Sequence, residues 1–480
     1  MVAQLFLPGE EMPRGRSRAG AVVTRVLALP EDEVERLTAA LMQEFGPRHE
    51  GYAATLAQHA AAVASHIPTG VVPSPARTLL LGASVTSEYA VEGAALCNPS
   101  AVLHPDQAGL QPGQARVAVS LRGIGEGHLS SLGFASAVLG PGPAWSWEAR
   151  RLPVLTGAVT AGTWQREQLR AVLADHGPIG GLAHTVLAGL PARFAAPDLQ
   201  DALATLPPDL TERQGGAETI MLLRRLVASA YAVGFPAGSE LSRQVLLPAA
   251  EEESHGIEDA RITRFTAADG TVDYRATYTA YDGQHVAPRL LTSPDLRSFH
   301  AHRLAGPAAR NKGMALFPRL LDGEHRALCR SDGESTSVTS SADGFRWGDP
   351  QVIAVPAASW EVLQIGNCGP PVETADGWLV LTHGVGPMRT YAIGAMLLDL
   401  ADPTRVLARL PVPLLAPDPD EQEGYVPHVV YSCGGLLHEG RLWLPYGIGD
   451  ARIGVAWVTL DELLGAMVPT PSARPARTSA

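Results

Sequence analysis

Recurrent Asp-Gly turns, strand-length apolar runs, and the grouping of those runs into units of about 45–60 residues predict the fold class. The expected architecture is mainly β: a five-bladed β-propeller with N-terminal helices and a helical insertion. Each Asp-Gly pair supplies the positive φ values a tight hairpin requires. Such pairs stand at Asp269-Gly270, Asp282-Gly283, Asp322-Gly323, Asp343-Gly344 and Asp376-Gly377, with Glu439-Gly440 as a further turn signal. The units bounded in this way run over residues 78–140, 256–306, 311–358, 362–415 and 425–466.

Along the chain, residues 1–77 read as an N-terminal helical extension. Pro30 suits a first helical position, and Glu31, Asp32 and Glu33 complement the positive end of the helix dipole. Val34, Leu37, Leu41 and Phe45 then form one apolar stripe, and a second helix is expected from Tyr52 to Ile67. Residues 78–140 are expected to be the first blade region, with strands at Leu79–Ala83 and Ala115–Arg122. Residues 141–250 turn helical again, over Thr163–Asp175, Leu199–Leu206 and Ala217–Val233, and read as an insertion. Residues 251–468 hold the remaining blades. The Pro-, Ala-, Ser- and Arg-rich stretch 469–480 is expected to be a disordered tail.

Composition narrows the class. A chain of 480 residues is too long for one small core. Its net charge of −12 would repel a polyphosphate, so no nucleic-acid partner is expected. Cys97, Cys329, Cys368 and Cys433 are widely spread, which suits neither a zinc module nor a disulfide framework. Met1–Pro8 is too short for a signal core, and no apolar run reaches the ~18 residues of a membrane span. The expectation is a cytoplasmic protein without a membrane partner; homo-oligomerisation is left open.

One segment stands out chemically. Gly256-Ile257-Glu258-Asp259-Ala260-Arg261 sets two carboxylates and a guanidinium where a β-branched and aromatic sheet begins. Neighbouring charges can set the protonation state of such an acid, and glycosidic cleavage needs a group that protonates the leaving oxygen. The competing reading is a strand-end ion pair. The glycine-rich loop Arg122-Gly123-Ile124-Gly125-Glu126-Gly127-His128 lacks the Gly-Lys-Ser/Thr and the helix of a nucleotide cradle. His128, His383 and His428 lack the spacing of a local ligand set, so neither a metal nor another cofactor is expected.

Taken in order, several segments resemble glycoside hydrolase family 130, the β-mannoside phosphorylases and related β-mannosidases. They are Cys97-Asn98-Pro99-Ser100, Glu258-Asp259-Ala260-Arg261, Asn311-Lys312-Gly313, Pro370-Pro371 with Thr382-His383-Gly384, and Tyr446 through Asp450. The resemblance spans residues 78–140 and 256–465, and implies a five-bladed propeller acting on manno-oligosaccharides. It implies Asp259 as general acid, reaching the glycosidic oxygen through a sugar hydroxyl. Asn98, Arg122 and Asp450 match positions holding the nonreducing mannose. Arg261, Lys312, His383, Tyr425, His428 and Tyr446 are further candidates for lining the pocket.

Two departures bear on the reaction. Where phosphorylases of the family carry a lysine after the paired prolines, this chain has Glu373; where they carry a His-Arg pair, it has Cys329-Arg330. A like-charge pair at ~4 Å and an effective dielectric of ~20 costs about 4 kcal/mol, so Glu373 is expected to repel phosphate. Glu373 and Glu334 are therefore expected to activate water opposite Asp259, the inverting hydrolytic arrangement; that the substrate is a terminal mannose, in β-1,2 linkage, is what the resemblance implies. Glu361 and Glu423 are competing bases. The rival is inverting phosphorolysis to mannose 1-phosphate, with Arg330, Arg389 and His383 as the anion site. A propeller that binds a sugar without cleaving it is the reading from another class.

Overall fold

The computed structural model describes residues 1–8 and 17–470. Most of the expected tail therefore lies outside the described residues, while Val468–Pro469 is a short strand paired with Val406–Arg409. The chain divides into two compact units, Met1–Gly93 with Arg150–Thr156, and Ala94–Ala149 with Gly157 onward. No helix among the described residues is long and apolar enough to cross a membrane.

The first unit packs the helices Arg18–Ala28, Glu31–Phe45, Tyr52–Ala62 and Pro75–Ala83 beside a two-stranded sheet, Val2–Leu5 with Thr86–Tyr89. Pro30 is the residue before the second helix rather than its first turn. The stretch Leu79–Ala83, expected as a strand, is the end of a helix. Ser74 caps that helix by accepting the Arg77 N–H at 3.1 Å, and Pro75 opens it. Its Leu80 and Leu81 bury against Val23, Val26 and Val34. Gly82 permits the closest approach, since a Cβ there would sit 1.9 Å from the Leu56 carbonyl oxygen. Short-range apolarity could not separate helix from strand here; the cap did.

In the second unit the strands fall into five antiparallel groups. The first is Ala95–Leu103, Ala115–Ile124, Ser130–Leu139 and Trp145–Trp147. A single parallel pairing, Gly256 with Ser130, joins it to Gly256–Thr266, Val272–Tyr281, Val286–Ser293 and Ser298–Arg303. The third is Ala315–Leu316, His325–Cys329, Thr336–Ser341 and Gln351–Ala354. The fourth centres on Gln364–Asn367, Trp378–Val385 and Tyr391–Leu398. The fifth is built on Arg441–Ile448, which pairs with Val430–Tyr431, Leu436–His438 and Arg452–Thr459. All the turn signals named above fall between strands of one group; Asp322 and Gly323, for example, take φ of 51° and 80°.

The stretch 141–250 is helical over Arg166–Asp175, Gly181–Gly189, Ala196–Ala204 and Gly216–Ala228, around a core of Trp164, Leu169, Leu187 and Leu223. It is more than an insertion of helices. Ala158–Ala161 and Tyr231–Gly234 extend the second group beyond Ser298–Arg303, so the helices leave from and return to that sheet edge. Val233, expected to be helical, is in this strand.

Candidate active site

Two β-bulges build the centre of the site. In Ala95–Leu103 the register shifts between Cys97 and Ser100, and in Gly256–Thr266 it shifts between Glu258 and Arg261. An extra residue turns the side chain out of the ladder and re-aims it. The re-aimed residues are Asn98 and Asp259, with φ of 52° and 56°. Asn and Asp are the non-glycine residues that tolerate this left-handed geometry best. Sequence elements 161 residues apart thus meet: Asn98 Nδ2 donates to Asp259 Oδ1 at 2.5 Å. Asn98 Oδ1 is buried and has no partner among the described residues, which leaves an acceptor for a hydroxyl.

Cations surround the acid. Arg122 donates to Glu258 at 2.8 Å and to Asp259 at 3.3 Å, while its Nε is held by Ser130 Oγ at 3.0 Å. Lys312 pairs with Glu258. Burial alone would raise the Asp259 pKa, but Arg122, Arg261 and Lys312 outweigh it and hold the carboxyl below its ordinary value. Asp450, with φ of 50°, behaves oppositely: burial, then the Asp259 charge, push it from 3.8 up to about 6. Two carboxyl groups on one site are thereby driven apart in protonation.

Linkage gives that contrast a sign. The Asp450 carboxyl binds its proton more tightly folded than unfolded, so it costs nothing below pH ~3.8 and its penalty is complete above pH ~6, about 3 kcal/mol at most. Asp450→Asn is therefore expected to raise the melting temperature at pH 8, with the gain shrinking to nothing below pH 4. Thermal unfolding of both chains across that range checks it.

The other expected residues divide. Arg261 was expected to line the pocket, but it is fully buried behind the bulge. It donates to the Cys368 carbonyl and the Asp259 carbonyl at 2.9 Å each, and to Tyr431 Oη at 2.8 Å. It braces the bulge from behind, with its donors taken up by the protein. Tyr446 donates to Glu421 at 2.8 Å, and its hydroxyl pKa rises to about 12. Tyr425 is exposed and meets His128 Nδ1 at 2.6 Å; His428 is half-buried with φ of 60°. No hydrogen bond among the described residues joins the side chains of these three to Asn98, Arg122 or Asp259.

Glu373 meets a counter-ion. Expected to activate water, it is exposed and gripped by Arg319, with Nη2 to Oε1 at 2.6 Å and Nε to Oε2 at 3.0 Å. Arg319 in turn lies over the Trp378 ring. Paired in this way, Glu373 meets an incoming anion as half of an ion pair rather than as a bare carboxylate. Glu334 is exposed and its carboxylate has no partner among the described residues; its N–H closes a turn on Asp332 at 2.9 Å. Glu361, a competing base, is buried and paired with Arg409 at 2.8 Å.

A second cationic element was legible only as a rival. Arg330 Nη1 lies 3.3 Å from His383 Nε2, and Gln364 Nε2 lies 3.4 Å from the same nitrogen. Arg330 has no carboxylate partner among the described residues, and its Nε is buried without an acceptor. Burial, followed by the Arg330 charge, pushes His383 well below its ordinary pKa, so the ring is neutral at pH 7. A Cβ at Gly366 would clash with both side chains, and one at Gly313, beside Lys312, would touch Arg330. Glu258 was quoted in the motif but missed as a site residue; its adjacency to Asp259 was the signal. Tyr431 and Ser130 carried none.

Comparison with known proteins adds the following. The family model for glycoside hydrolase family 130, described as beta-1,4-mannooligosaccharide phosphorylase, matches residues 238–468. A 1,2-beta-oligomannan phosphorylase of Thermoanaerobacter sp. (strain X514) is 33% identical over 230 residues, 46% of this chain and 75% of that one. A beta-1,2-mannobiose phosphorylase of the same strain is 33% identical over 225 residues, 46% and 72% of the two chains. A solved structure, the Listeria innocua beta-1,2-mannobiose phosphorylase with beta-1,2-mannobiose, aligns at a TM-score of 0.46 and 22% identity, covering 79% of this chain and 92% of that one.

Proposed function

The chain belongs to glycoside hydrolase family 130, and we propose that it cleaves a terminal β-linked mannose, in β-1,2 linkage, by inverting phosphorolysis. A phosphate oxygen attacks the anomeric carbon, the glycosidic C–O bond breaks, and the leaving oxygen takes a proton relayed from Asp259 through a sugar hydroxyl. The products are mannose 1-phosphate and the shortened oligosaccharide. Asn98, Arg122 and Asp450 orient the terminal sugar, and Lys312 sets the charge of the Glu258-Asp259 pair.

The observation that carries phosphate over water is Arg330. A guanidinium without a counter-carboxylate among the described residues, set beside a neutral imidazole, has the chemistry to seat an anion. The Glu373–Arg319 ion pair removes the expected repulsion, and the relatives named above are phosphorylases. Phosphate arrival also serves the acid, because an anion among these cations weakens their hold on the Asp259 carboxylate and raises its proton affinity. The second reading, hydrolysis, is favoured by the unpaired Glu334 carboxylate, on a turn whose Gly333 lies close to the Asn311 side chain next to Lys312.

We further propose that the five strand groups close into a five-bladed ring around this site. Support comes from one link between each successive pair: Gly256 with Ser130, Thr266 with Arg319, Ile365 N–H to the Glu334 carbonyl, Tyr391 with Val429, and Gly434 with Ser100. Product analysis on β-1,2-mannobiose tests the reaction. Mannose 1-phosphate formed only with added phosphate is expected; free mannose at a phosphate-independent rate would overturn phosphorolysis.

A further inference from the structure

Four of the eight tryptophans form one continuous chain of rings away from Asp259. Trp147 meets Trp145 edge-on at 5.2 Å, Trp145 meets Trp443 at 5.9 Å, and Trp443 meets its cross-strand partner Trp457 at 6.4 Å. The inner pair is accounted for by packing: Trp443 is buried among Val117, Leu139 and Leu436, with Trp145 laid against them. The outer pair is not. Trp147 is 44% exposed and Trp457 45% exposed, each joined to the others rather than scattered singly.

A guanidinium borders the rings. Trp145 Nε1, Trp443 Nε1 and Arg441 Nε are buried with no hydrogen-bond partner among the described residues, and the Arg441 guanidinium lies 5.6 Å over the Trp457 ring. Those three atoms are out of a surface ligand's reach; what the cluster presents outward is the two indole faces and the rest of the half-buried Arg441 guanidinium. A pyranose chain has the complementary chemistry, with flat C–H faces for indole rings and a periphery of oxygen acceptors.

The position is separate from the active site. Trp443 lies seven residues before Asp450, and Ala137, the partner of Trp147, lies seven after Ser130, which holds Arg122. At ~3.3 Å per residue both spacings put the rings roughly 20 Å along the strands from the acid. We propose that this tryptophan face is a second carbohydrate-binding surface, which holds a β-linked manno-oligosaccharide chain by ring stacking while the distant site acts on its end. The choice of mannose rests on the function proposed above; the choice of a glycan rests on the exposed rings and the Arg441 guanidinium beside them.

Affinity electrophoresis in phosphate-free gels containing soluble β-1,2-mannan, β-1,4-mannan or a β-glucan tests it. The native chain is compared with the double variant Trp147→Ala/Trp457→Ala and with the ring-keeping Trp147→Phe/Trp457→Phe. Retardation by a β-mannan is expected for the native chain, weakened at least fivefold in the alanine variant and partly kept in the phenylalanine one. Turnover of mannobiose, unchanged in both, shows that the fold is intact. Equal retardation of all three chains, or none of the native chain by any glycan, overturns the proposal. So does a change of oligomeric state on sedimentation with glycan binding unaltered, which makes the face a contact between copies. If no mannoside is turned over but another β-glycan retards the native chain and not the alanine variant, the surface stands and the function reading falls.

Discussion

Asp259→Asn is expected to lower kcat/KM on β-1,2-mannobiose by about 10³-fold, within the range a positioned general acid supplies. The amide is isosteric and keeps an acceptor for Asn98 Nδ2, so the bulge is expected to survive. What is lost is the proton and the charge. Because Arg122, Arg261 and Lys312 hold the Asp259 pKa below its unfolded value, its ionised form stabilises the fold above pH ~4, and that contribution disappears as pH falls through the depressed pKa. The variant should therefore melt lower than the native chain at pH 7 and equally at strongly acid pH, the mirror image of Asp450→Asn. Turnover within tenfold of native would remove Asp259 from the chemistry and make Asp450, whose carboxyl titrates near 6, the group to test as proton donor.

The same two residues show what was legible beforehand. Glu258-Asp259 could be singled out as a carboxylate pair beside Arg261 where a sheet begins, and Cys97-Asn98-Pro99 only through the family resemblance. Their meeting could not, since it depends on two bulges and a positive φ that no local pattern encodes. The strand groups were readable from Asp-Gly turns because a hairpin turn is a local event. Leu79–Ala83 was misread for the opposite reason: five apolar or small residues suit a buried helix as well as a strand, and a cap outside the run decided. The partners of Glu373 and Arg261 could not be read beforehand. Arg319 is 54 residues from the one, and Cys368 and Tyr431 are 107 and 170 from the other. Charge in a sequence says what a side chain can do, and only the neighbours it acquires say what it does.

Arg330→Ala is expected to raise the KM for phosphate by roughly 10–100-fold while leaving the KM for mannobiose within about threefold. A charge-assisted hydrogen bond contributes about 1.5–3 kcal/mol, and each 1.4 kcal/mol is tenfold. The split between the two constants matters, because a merely structural arginine would damage both. Arg330→Lys keeps the charge but not the planar fork, so it should recover part of the phosphate affinity. His383 gives a second reading of the same seat. Its neutrality is enforced by burial and by the unneutralised Arg330 charge, so removing that charge should let the ring titrate closer to its ordinary pKa. A histidine resonance followed by NMR against pH would register the rise whether or not the variant turns over. An Arg330→Ala chain with native phosphate dependence and an unmoved His383 would show that the anion sits elsewhere. Arg389, exposed and close enough to lower the Asp450 pKa, would then be the remaining cation with the reach to hold it.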